Sequence, residues 1–72
     1  MAPSPWRIAY RAAALEPDNA RLEERVKAAQ AVMMSRLVEL VSSQGDRSEI
    51  RAIEKGLRTL VVIKWERLGR SA

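Results

Sequence analysis

Apolar residues recur at Leu22, Val26, Ala29, Met33, Leu37 and Leu40, in steps of three and four that align them on one stripe of an α-helix. A second stripe comes after it at Ile50, Ile53, Leu57, Leu60 with Val61, and Leu68. Between the stripes, only Ser42-Ser43-Gln44-Gly45-Asp46 interrupts the helical pattern. The pattern predicts helices over 19–43 and 47–68, about 37 and 33 Å long, matched in length as an antiparallel hairpin requires. Gly45 is the expected left-handed residue closing the first of these helices, and Asp46-Arg47-Ser48-Glu49 reads as a capping box opening the second.

Upstream, Pro5 suits the first position of a helix, and Trp6, Ala9, Tyr10 and Ala13 share one side of a segment over about 5–15. Pro17 ends it, and Asp18 or Asn19 can cap the next helix. Roughly ten residues are too few for a stable helix in water, so this segment must dock. The phrase Leu15-Glu16-Pro17-Asp18-Asn19-Ala20, with Tyr10 and Ala13 before it, looks like the close of a tetratricopeptide repeat. Its proline falls one position early and no second copy occurs at the repeat's period of about 34 residues, so the resemblance is rejected. The reading is all-α: a short N-terminal helix followed by a long antiparallel helical hairpin, one domain over 1–72.

That architecture leaves apolar residues over. Ala31, Met34, Val38 and Val41 lie beside the main stripe of the second helix, so its turn-proximal half is apolar over about half its circumference, where one neighbour needs a stripe of about 100°. Ala52, Gly56 and Ile63 form a second ridge on the third helix; an interior glycine costs about 1 kcal/mol unless a close approach repays it. The two surfaces come out on opposite sides of the hairpin. The short helix covers one of them and, tied at Pro17, reaches about halfway along the second helix. Dimerisation into a helical bundle is the expected use of the other, with a different protein as the competing occupant.

Charge adds a second feature. The chain carries 13 Lys and Arg against 9 Asp and Glu, a net charge of +4, which permits an anionic partner without requiring one. In the expected hairpin Arg7, Arg11, Lys64, Arg67 and Arg70 gather at the open pole with Trp6, Tyr10 and Trp65, the sort of surface that binds phosphates and stacks bases. The alternative use of the same residues is internal, with the aromatic rings docking the short helix on Trp65.

Chemistry is mostly excluded. With no histidine or cysteine the usual metal ligands, general bases and thiol nucleophiles are missing, and no glycine-rich phosphate loop occurs. No catalytic residue, metal, cofactor or small-molecule substrate is expected. No run approaches the roughly 18 apolar residues that span a bilayer, and Arg7 and Arg11 interrupt what would be the core of a secretion signal, so a cytoplasmic protein is expected. The functional expectation is a non-catalytic interaction or scaffolding module acting through self-association or a partner helix. The alternative is a small nucleic-acid-binding helical dimer using the basic pole.

Overall fold

The computed structural model describes residues 4–69 and, among these, contains three helices and no strand: α1 (Pro5–Ala14), α2 (Asn19–Ser42) and α3 (Arg47–Leu68). Each helix starts where the sequence supplies a start. Pro5 occupies the first position of α1, where its missing N–H costs nothing. Asp18 caps α2 by accepting from the Ala20 N–H at 2.9 Å, and Asp46 caps α3 by accepting from the Ser48 N–H at 2.8 Å. The expected capping box stops there, because the Glu49 carboxylate is taken up by Arg36 and Trp6.

The end of α2 corrects a second expectation. Gln44, not Gly45, adopts the left-handed conformation, with φ of 56°. The Gly45 N–H reaches the Leu40 carbonyl at 2.7 Å and the Gln44 N–H the Val41 carbonyl at 3.4 Å, the paired bonds of a Schellman close. Glycine is needed one position later for room: a Cβ on Gly45 would lie 2.7 Å from Leu40 Cδ2. Gln44→Gly is therefore expected to stabilise the chain by up to about 1 kcal/mol, by relieving the left-handed side chain. Chemical denaturation measures it, and an unchanged midpoint would contradict the assignment.

The core is built from all three helices: Trp6 and Ala13; Leu22, Val26, Ala29, Met33 and Leu40; Ile53 and Leu60. The α2 members all belong to the stripe that the sequence pattern marks out. Contacts between α2 and α3 descend one helix as they climb the other: Arg36 with Glu49, Met33 with Gly56, Asn19 with Arg67. Gly56 is buried, and a Cβ there would meet Met33 Cε at 2.6 Å and Tyr10 Cδ1 at 3.5 Å. The close approach that repays this interior glycine lies within the chain.

Two polar clusters fasten α1 at either end. At one, Glu49 of α3 accepts from Trp6 Nε1 of α1 at 3.0 Å and from Arg36 Nε and Nη2 of α2 at 2.9 and 3.2 Å. At the other, Arg67 of α3 donates to the Glu16 and Pro17 carbonyls and to Asn19 Oδ1, while Asn19 Nδ2 donates back to the Arg67 carbonyl. Trp6 thus lies level with Arg36, about three-quarters of the way along α2. The expected halfway reach is too short because the Leu15–Asp18 connection itself runs along α2: residues 19 to 36 span about 25 Å and α1 only about 15 Å, so the connection supplies the remaining ~10 Å.

Candidate interaction surfaces

The docking of α1 decides which apolar residues remain open. Its first turn lines a groove with Ala31, Val32, Ser35, Arg36 and Glu39 of α2, and its flank lines another with Ala52, Lys55, Gly56 and Thr59 of α3. At 100° per residue, Met34, Val38 and Val41 stand on the opposite side of α2's buried stripe, and Ile50, Leu57 and Val61 on the corresponding side of α3. Met34, Val38, Val41 and Val61 are 48%, 60%, 61% and 56% exposed, with Leu37, Ile50 and Leu57 half-buried between them. This side of α2 and α3 is one apolar face.

The seven candidate interface residues therefore separate. Met34, Val38 and Val41 are on the open face. Ala31 is exposed but lines a groove beside Pro5 and Trp6. Ala52 and Gly56 lie under α1, and Ile63 is half-buried against the core, so that ridge is largely used within the chain. Val61 is absent from the candidates because the sequence pattern groups it with Leu60 in the contact stripe, whereas α1 draws that stripe toward itself. Ile8 and Leu15, 56% and 68% exposed on the outer side of α1, carry no mark in the sequence pattern either.

The expected basic and aromatic pole is not assembled. Since α1 runs back toward the start of α3, Trp6 is 3% exposed and bonded to Glu49, Tyr10 lies against Gly56, and Trp65 is far along α3 and half exposed. Arg7 stacks over the Trp6 ring with its guanidinium carbon 4.4 Å from the centroid. Arg67 is engaged in the clamp on the α1–α2 connection. Lys64 is exposed, and Arg70 lies outside the described residues. Arg7 and Arg11 instead line the groove between α1 and α3 together with Lys55.

The two polar clusters carry the perturbed titrations. Hydrogen bonds from Arg36, then from Trp6, hold the Glu49 carboxyl below the ordinary carboxylate range, and Glu49 in turn holds Arg36 more firmly protonated. Glu16, whose side chain is 10% exposed, is likewise lowered, first by the Asp18 N–H and then by Arg25 at 3.2 Å. The first partnership ties α1, α2 and α3 together, and the second ties the α1–α2 connection to α2. Arg36, a long cation at the edge of an apolar stripe, is the sequence signal for the Glu49 cluster; its partner and Trp6 come from two other helices.

Among the described residues no group of three or more acidic, histidine or cysteine side chains is arranged to hold a metal ion, and no helix is long and apolar enough to cross a membrane. No family model, curated protein or solved structure matches this chain.

Proposed function

We propose that the chain is a non-catalytic interaction module in which α2 and α3 form an antiparallel hairpin that self-associates through the Met34, Val38, Val41 and Val61 face. The observation that carries this is the exposure of these four large apolar side chains on one side, continuous with half-buried Leu37, Ile50 and Leu57. Isolated exposed apolar residues need no explanation, but a contiguous group across two helices marks a contact surface.

Magnitudes set the expected affinity. Four half-exposed side chains on each of two copies amount to about 600 Å² of apolar area, or about 15 kcal/mol gross, against about 4–15 kcal/mol lost on association. The balance is a modest, concentration-dependent dimer.

Light scattering on a size-exclusion column is expected to give about twice the 8.1 kDa chain mass at high concentration, falling toward 8.1 kDa on dilution. The double variant Val38→Glu/Val61→Glu is expected to stay monomeric throughout with its helicity intact. A monomer at every concentration would overturn self-association and leave a different protein as the occupant. A dimer that survives the double variant would move the interface elsewhere.

A further inference from the structure

The groove between α1 and α3 lies away from the proposed self-association face and differs from it in charge. Its cavity, of about 550 Å³, is lined by Arg7 and Arg11 on the α1 wall and Lys55 on the α3 wall, over a floor that includes Tyr10 and Gly56. Arg51 and Arg58, four residues before and three after Lys55, continue the cationic track on the exposed side of α3. The four ion pairs among the described residues all draw their cations from α2, namely Arg25, Lys27 and Arg36. Among those residues the five cations of the groove and track have no such partner. Of the acids nearby, Glu49 is hydrogen-bonded to Arg36 and Trp6 and lies within electrostatic reach of Arg7 alone among the five, and Glu54 is the one carboxylate within 51–58.

We infer that this groove binds the sugar–phosphate backbone of single-stranded nucleic acid. Placing Arg7 and Arg11 on one wall opposite Lys55 on the other costs repulsion, which a polyanion running between them relieves. Arg7 and Arg11 are one helical turn apart, about 6 Å, and the α3 track from Arg51 to Arg58 extends about 10 Å, so the charges suit a chain of phosphates rather than a single ion. An apolar floor with one half-exposed aromatic ring suits an unpaired base lying over Tyr10. The groove runs along a helix of ten residues, about 15 Å, and takes about two or three nucleotides of a single strand.

The test is fluorescence anisotropy of the full chain with labelled 20-nucleotide oligothymidine and oligouridine at 50 and 200 mM salt. Binding is expected at 50 mM, falling with a log–log salt slope of about −1.5 to −2 for two or three neutralised phosphates. Arg11→Glu/Lys55→Glu is expected to weaken it at least tenfold while leaving the thermal midpoint within a few degrees, since both side chains are exposed. The control Arg21→Glu/Arg47→Glu changes the net charge equally at two exposed positions outside the groove, and is expected to retain affinity within about threefold. Equal losses in the two variants would show that binding depends on net charge alone and would overturn the groove. Absence of single-strand binding at 50 mM, tighter binding to a duplex of the same length, or binding only to polyglutamate or anionic vesicles would each overturn the inference.

Discussion

Replacing Trp6 by alanine is expected to destabilise the chain by about 3–5 kcal/mol, the usual cost of truncating a fully buried tryptophan. Trp6 is 3% exposed, is the first large core side chain of α1 and donates its indole N–H to Glu49 on α3 at 3.0 Å. A domain of this length has about 4–11 kcal/mol of stability in all, so the loss consumes much of it. Because a ten-residue helix does not persist alone, α1 is expected to lose its helicity when its anchor is gone. Thermal unfolding followed by far-UV circular dichroism measures both the lowered midpoint and the lost signal. Trp6→Phe separates the two contributions by keeping most of the buried area while deleting the donor, and its cost is expected to be nearer 1–2 kcal/mol. A midpoint for Trp6→Ala within two or three degrees of the parent chain would mean that α1 does not contribute to the cooperative unit.

The second large effect is expected at Glu49. Glu49→Ala removes the acceptor shared by all three helices, leaves Arg36 with Glu39 alone, and strands the buried Trp6 N–H. The unsatisfied indole N–H by itself costs about 1–3 kcal/mol. The same cluster gives stability a pH dependence whose sign is fixed. Glu49 and Glu16 both titrate below their ordinary value of 4.5 in the folded chain, so the unfolded chain binds protons more readily. Their contribution is therefore fully present above pH 4.5 and is lost as the pH falls through the folded values. The thermal midpoint is expected to be flat from about pH 6 to 8 and to fall steeply below pH 4.5. Glu49→Gln, which cannot ionise but keeps the side-chain shape and one acceptor, is expected to start lower at pH 7 and to show a shallower fall. Parallel curves for the two proteins would remove Glu49 from the acid transition.

A common design links these expectations. The chain has a small core and neither cysteine nor histidine, and polar clusters at both ends of α1 hold its short helix in place. The Glu49 cluster joins three helices through one carboxylate, and Arg67 ties the last turns of α3 to the connection between α1 and α2. By occupying one side of α2 and α3, α1 leaves the other side as the apolar face and forms the cationic groove along its own flank.

What the sequence by itself determined was the local structure. The helical class, three helices within a residue or two of their expected bounds, the stops at Pro17 and at Ser43 to Gly45, the caps at Asp18 and Asp46, and the buried stripe of α2 all come from periodicity and backbone chemistry within a few residues. Where the short helix lies was left to the tertiary structure, because docking depends on contacts such as Trp6 with Glu49, 43 residues apart, for which no local pattern exists. That one placement moved the aromatic residues away from a shared pole, turned Gly56 inward, committed Arg67 to a backbone clamp and set Arg7 and Arg11 opposite Lys55. The left-handed residue at Gln44 is a local matter by contrast: the closing bonds from Gln44 and Gly45 to Val41 and Leu40 put it one position before the glycine, whose missing Cβ leaves room for Leu40 Cδ2. Helical periodicity says which residues share a side of a helix. Which sides are covered is settled by how the helices compete for the same apolar surface.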